Sequence, residues 1–356
     1  MEKSGIQLSQ MSLREKVGQL FVVRPEALEP AIRYAEDTEL PPYRLQAVSD
    51  GMRRRAADYP VGGVLLFGHN ILDEEQLHTF TRDLRALPGA PLLCIDEEGG
   101  RVSRIAGNPA FDVPVYENMA AVGASGDPRR AFEAGSSIGA YLHRYGLEID
   151  FAPVADVNTN PQNIVIGPRA FSDDPAVAAP MVAAFVRGLA EAGVTGCLKH
   201  FPGHGDTRTD THFGFAATSK DWAQMLDCEM PSFRAGIAAG VPLVMAAHIA
   251  APAVTGNDLP ATMSPVLLQD KLRGELGFDG LVVTDALEMH AVSRRFGNAE
   301  AAVRALLAGA DILLCPQNLQ EAFDGVVRAV EDGSVSRERL ERSVSRILAL
   351  KRKIRK

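Results

Sequence analysis

Aromatic side chains are scarce: the 356 residues include one tryptophan, Trp222, six tyrosines and 15 phenylalanines. An extended stacking platform for polysaccharide or single-stranded nucleic acid needs more of them. Cysteine is also rare, and Cys94, Cys197, Cys228 and Cys315 follow no metal-ligand or redox spacing. Three of them fall inside apolar runs, which reads as buried reduced thiols rather than disulfides or metal ligands. No membrane-length run exists. The longest weakly polar stretch, Val241 to Val254, carries two prolines and His248, short of about 18 uninterrupted apolar residues. Positive charge is not in excess, because 37 Lys+Arg stand against 45 Asp+Glu for a formal charge of −8. That balance argues against a nucleic-acid footprint. Basic clusters such as Arg53-Arg54-Arg55 and the C-terminal lysines read as solvated helix ends. The opening MEKSGIQLSQ lacks the layout of a secretion signal, so a cytoplasmic location is expected.

What is present is a repeated alternation. Short runs rich in Val, Ile and Leu recur about every 35 to 45 residues, bounded by Gly or Pro and separated by helical periodicity. They are Gly18 to Val23, Gly62 to Phe67, Pro91 to Ile95, Glu148 to Pro153, Gly196 to His200, Leu243 to His248, Gly280 to Thr284, and Asp311 to Cys315. Helices are expected at Glu74 to Leu87, Pro128 to Arg144, Pro175 to Ala192, Asp221 to Ala239, Pro265 to Leu276 and Asn298 to Ala308. Alternation of this kind implies parallel strands joined by crossover helices. Eight units fit a single α/β domain, a (β/α)8 TIM barrel spanning 1–356. Ser12-Leu13-Arg14-Glu15 reads as a capping box opening a short helix before the first strand, and Ser336 to Leu350 as a closing helix with basic residues at its end. No second C-terminal domain is expected. The stretch Pro25 to Tyr59 is long for a connection and has no assignment.

In such a barrel, functional groups belong at the C-terminal ends of the strands. Strand three ends in Asp96-Glu97-Glu98-Gly99-Gly100-Arg101-Val102-Ser103-Arg104, strand five in Lys199-His200, strand six in His248 and strand seven in Thr284-Asp285. A charge placed directly after buried aliphatics is costly unless it is paired or used. A salt-bridge network closing the barrel mouth would satisfy that rule, but four strands ending alike favour a converging pocket. The loop Lys199 to His212 is long and polar, with Gly203 and Gly205 as candidate hinges. Within it Asp210 and His212 could set a carboxylate against an imidazole, a pairing that raises the ring pKa. Asp285 could attack an electrophilic carbon or cap a helix beginning at Ala286. His200, His204 and His212 invite a metal reading, which the absence of histidine from the first strand opposes. A nucleophilic serine has no Gly-x-Ser-x-Gly to stand on.

Five segments then carry a resemblance over nearly the whole chain: Ser12 to Leu20, Asp96 to Arg104, Ile166 to Phe171, Lys199 to Asp206 with Asp210 and His212, and Gly280 to Met289. Together they resemble family 3 glycoside hydrolases, in particular the NagZ-type β-N-acetylglucosaminidase branch. Lys-His-Phe-Pro-Gly-His-Gly-Asp-Thr followed by Asp-x-His is the most specific of them. The resemblance implies Asp285 as the nucleophile, His212 as a histidine general acid/base and Asp210 as its partner. It implies that Asp96, Arg104, Arg169, Lys199 and His200 bind the sugar in the −1 subsite. Thr211 and Ala286 depart from commoner residues without touching a named role.

The implied reaction is retaining removal of terminal N-acetylglucosamine, with muropeptides of cell-wall recycling as the expected substrate. No metal, organic cofactor, nucleic acid, membrane or obligate protein partner is implied, and the expected partner is a small carbohydrate. Two rivals stay open. A histidine acid/base does not repel phosphate as a carboxylate would, so the same site could serve a phosphorylase. A non-catalytic sugar-binding sensor on the same scaffold is the other.

Overall fold

The computed structural model describes residues 7–32, 44–207 and 216–355. Eight strands form one parallel sheet: β1 (Phe21–Val23), β2 (Gly63–Leu66), β3 (Leu92–Ile95), β4 (Ile149–Asp150), β5 (Thr195–Phe201), β6 (Leu243–Ala246), β7 (Leu281–Thr284) and β8 (Leu313–Leu314). Each of the eight apolar runs contributes one strand. β1 pairs with β8 through Phe21 and Leu313, and a parallel bridge between Val283 and Ile312 brings β7 to the other side of β8. The sheet thereby approaches closure as an α/β barrel. All eight strands are buried, as a parallel sheet covered by helices requires.

Several boundaries differ from the sequence reading. The first run begins with helix rather than strand, because the Ser12–Glu15 capping box opens a helix over Leu13–Gln19 and the chain extends only at Phe21. The expected helix Asp221 to Ala239 is two helices, Trp222–Cys228 and Met230–Ala238. Pro231 lies in the first turn of the second, where its missing N–H cannot continue the ladder of the first. Val266–Glu275 winds with wide π-type turns, and the N–H of Leu276 reaches back five residues to Lys271 O at 2.9 Å. The unassigned stretch after β1 holds a 3-10 turn, Pro25–Leu28, and a helix, Asp50–Asp58.

The closing helix, Arg337–Ile354, ends differently from expectation as well. Lys351 is not solvated. Its ammonium is buried and donates to Gln19 Oε1 at 2.7 Å and to the carbonyls of Gly89 and Ala90, both at 2.9 Å. Cys94, Cys197 and Cys315 are buried free thiols, as their apolar surroundings imply. Among the described residues no helix is long and apolar enough to cross a membrane.

Candidate active site at the C-terminal end of the barrel

Each strand delivers its first polar residue where the aliphatic run stops, because the run fills the wall and the next side chain meets the open end of the barrel. Asp96 follows β3, Lys199 and His200 lie within the end of β5, and Asp285 follows β7. Lys199 is only 2% exposed and donates through Nζ to Asp96 Oδ1 at 2.8 Å and Glu98 Oε1 at 2.5 Å. Arg169 closes on the same Glu98 with two bonds, Nε to Oε2 and Nη2 to Oε1, both 2.7 Å. Burial raises the Glu98 carboxyl, but Lys199 and Arg169 outweigh it and bring its pKa down to about 2. Burial works against both cations too, yet Asp96 and Glu98 hold Lys199, and Glu98 holds Arg169, above their ordinary values.

His200 is positioned from the opposite side by Asp156, which is 1% exposed. The ring Nδ1 lies 2.6 Å from Asp156 Oδ2, and the carboxylate also accepts the N–H of His200 at 3.2 Å and that of His204 at 2.5 Å. Arg169 Nη2 stands 3.4 Å from the other ring nitrogen, Nε2. A guanidinium can only donate, so Nε2 accepts and Nδ1 carries the proton toward Asp156. Burial raises the Asp156 carboxyl, and the rings of His200 and His204 more than offset it, leaving its pKa below the ordinary value.

Asp285 does not cap a helix. The helical turn after it starts only at His290, and the carboxylate Oδ1 accepts the N–H of Ala286 at 2.8 Å instead. Its own N–H is held by Ala246 O of β6, and the following residues by β8, with Leu287 N on Leu314 O and Glu288 N on Cys315 O. Burial pushes its pKa up, but the imidazoles of His248 and His200, the Ala286 N–H and Lys199 bring it below the usual aspartate value. The carboxylate is therefore ionised at neutral pH and is delivered by a short loop fastened on both sides. Such a group is equipped to act as a nucleophile.

Arg104 is placed apart from the Asp96–Lys199–Glu98–Arg169 chain. Its guanidinium lies 5.6 Å from the centre of the Phe67 ring, and its backbone N–H donates to Glu97 Oε2 at 2.5 Å. Glu97 faces its own loop and also accepts the N–H groups of Ile105 and Ala106 and the hydroxyl of Tyr141. Arg24 lies over the same Phe67 ring and is paired with Glu288. Asp210 and His212 lie outside the described residues. Gly203 and Gly205, expected as hinges, are closely packed. A Cβ on Gly205 would stand 1.8 Å from Val157 O, and one on Gly203, at φ +127°, 2.3 Å from Glu229 Cγ.

Two residues of this site, Asp156 and Glu98, were not among the expected binding residues. Asp156 obeys the rule that selects Asp285, a carboxylate after an apolar run, but lies three residues beyond Pro153, where the expected run ends. Glu98 is one of three consecutive acids, and no signal in the sequence separates their directions. Among the described residues no group of His, Cys, Asp and Glu could hold a metal ion.

The glycosyl hydrolase family 3 N-terminal domain matches residues 12–350. The chain belongs to glycosyl hydrolase family 3. It is 39% identical over 274 residues to a beta-hexosaminidase of Stenotrophomonas maltophilia, covering 75% of this chain and 80% of that protein. It is 34% identical over 343 residues to beta-hexosaminidase A of Pseudoalteromonas piscicida, covering 89% of this chain but 56% of that longer protein. Among solved structures, a family 3 beta-N-acetylglucosaminidase from Paenibacillus superposes with a TM-score of 0.86 at 38% identity, over 97% of this chain and 63% of that one. The chain thus spans little more than half of the one longer relative and under two thirds of the other.

Proposed function

We propose that this family 3 chain is a retaining β-N-acetylglucosaminidase. The observation that carries the reading is the ionised Asp285 at the barrel mouth, within electrostatic reach of Lys199 and His200. In this reading Asp285 attacks the anomeric carbon, the glycosidic oxygen leaves with a proton from His212, and a glycosyl-Asp285 ester forms. Water then attacks the anomeric carbon while His212 takes its proton, breaking the bond to Asp285, releasing N-acetylglucosamine and regenerating the carboxylate. Asp210 holds and charges the imidazole. Asp96, Lys199, His200, Arg169 and Arg104 bind the sugar hydroxyls and the N-acetyl group. The proposed leaving group is the remainder of a muropeptide, cleaved in the cytoplasm during cell-wall recycling.

The test compares release of nitrophenol from an N-acetyl-β-glucosaminide and a β-glucoside, with and without phosphate, for the unaltered chain and Asp285→Ala. Phosphate-independent release of free N-acetylglucosamine, abolished in Asp285→Ala, is the expected result. A strict need for phosphate would make the chain a phosphorylase, and no turnover of either substrate would favour a sugar-binding sensor. Undiminished turnover in Asp285→Ala would remove the covalent mechanism. Asp210→Ala should lose less than Asp285→Ala, because the nucleophile remains. Turnover of purified muropeptides and cell fractionation test the substrate and the location.

A further inference from the structure

His248 follows β6, is 5% exposed, and takes no part in the sugar contacts or the proton transfers described above. Its ring Nε2 lies 2.9 Å from the carbonyl oxygen of Ala286, the residue directly after Asp285. A carbonyl can only accept, so Nε2 carries the ring proton. In the neutral ring Nδ1 is then a lone pair, and the Thr262 hydroxyl, 3.0 Å away, donates to it. Thr262 is itself buried, on the 3-10 turn Ala261–Met263. Burial lowers the pKa of His248 against the opposing pull of Asp285, which keeps the ring neutral. Ala286 is consequently gripped at both ends, by His248 at its C=O and by Asp285 Oδ1 at its N–H. The Ala286 N–H fixes the rotation of the Asp285 carboxylate, and His248 fixes Ala286.

We propose that His248, set in one tautomer by Thr262, is a positioning residue that aims the Asp285 carboxylate through Ala286. The inference rests on Asp285 being the nucleophile. A neutral donor suits the task. An imidazolium beside a carboxylate would pair with it and blunt its attack, whereas a neutral Nε2–H bound to a carbonyl orders the loop without competing for the nucleophile. A misaimed nucleophile slows formation of the glycosyl-enzyme while leaving the ground-state hold on the sugar intact, since that hold comes from other residues.

The experiment measures kcat/KM on a nitrophenyl N-acetyl-β-glucosaminide, the Ki of N-acetylglucosamine, and the melting temperature, with Asp285→Ala as control. Thr262→Val keeps the shape and removes the hydroxyl donor, and should lower kcat/KM about tenfold with Ki within twofold of the unaltered chain. Thr262→Ser should restore most of the loss. His248→Gln places an amide N–H where Nε2 stands and should lose less than His248→Asn, for which about a hundredfold loss is expected from misplaced attack. If a His248 variant fails to fold, the Thr262 pair decides alone. Thr262→Val with unchanged kcat/KM overturns the proposal, as does a rise in Ki matching the fall in kcat/KM. Retained activity in Asp285→Ala would instead overturn the reading on which the proposal rests.

Discussion

Arg169 meets Glu98 with two parallel hydrogen bonds of 2.7 Å each, from Nε and Nη2, while Lys199 takes Glu98 Oε1 as well. One buried carboxylate therefore anchors two cations, one arriving from the loop after β4 and one from β5. The arrangement explains how two basic side chains can be kept inside a barrel wall. Removing the shared anion would leave Arg169 without its carboxylate and Lys199 with Asp96 alone in a low-dielectric site, which costs more than the pair itself contributes.

Glu98→Gln is accordingly expected to be among the most damaging isosteric changes, destabilising the fold by about 3–5 kcal/mol. Denaturant midpoints at neutral pH check the magnitude. The pH dependence follows from the same pair. With a folded pKa of about 2 against an ordinary 4.5, the unfolded chain binds more protons in that window. Stability contributed by Glu98 is thus complete above pH ~5 and is lost as pH falls toward 2, by roughly 3 kcal/mol in all. Glu98→Gln should flatten that acid limb.

Asp156→Asn tests the histidine clamp. An asparagine can still accept one backbone N–H, but its amide nitrogen would face a donor among the Asp156 partners, His200 Nδ1–H or the N–H groups of His200 and His204. Relief by moving the ring proton to Nε2 would aim it at Arg169, 3.4 Å away. Sugar binding should suffer more than the chemical step. The expected result is a KM rise of about tenfold or more with a smaller change in kcat, measured by steady-state kinetics.

The strands were legible because buried parallel strands are continuous aliphatic runs, so β2, β3 and β7 fall within a residue or two of where the sequence places them. The overshoot at Gly18 arose from a helix whose last turn is as apolar as the strand after it, and the break at Pro231 was hidden by unbroken helical periodicity. Residue type and strand end sufficed to place Asp96, Lys199, His200 and Asp285 at the mouth of the barrel. Direction did not follow from order. Of three consecutive acids, Asp96 and Glu98 turn to Lys199, while Glu97 turns back to the N–H groups of Arg104 to Ala106. That choice is made by the loop's path, which no periodicity encodes. Asp210 and His212 stand on the sequence resemblance.

Gly205→Ala addresses the connection between β5 and those two residues. The added methyl would collide with Val157 O at 1.8 Å, and a backbone atom cannot yield as a side chain tip can. The loop must shift, carrying the segment toward Asp210 and His212 with it. Activity on the nitrophenyl substrate should drop by tenfold or more, while far-UV circular dichroism stays unchanged because the strands lie outside the shift. Full activity in this variant would show that the loop tolerates displacement.

Lys351 gives a slope of the same sign as Glu98 at the other end of the pH scale, remote from the site. Burial first, and then the charge of Arg355, pull its pKa from 10.5 down to about 7. Between those values the unfolded chain holds a proton that the folded chain releases, so stability rises as pH climbs from about 7 to 10.5. Below pH 7 the ammonium is charged in both states and its three donors meet three acceptors, Gln19 Oε1 and the carbonyls of Gly89 and Ala90. Those carbonyls keep second donors in Gln19 and Arg355, so Lys351→Met strands only the Gln19 oxygen. The variant should therefore lose little stability at neutral pH and should lack the alkaline rise, which denaturant titrations at pH 7 and pH 9.5 on both proteins would read directly. A parallel rise in the two proteins would mean that Lys351 titrates normally and that its three acceptors, rather than its burial, set its proton affinity.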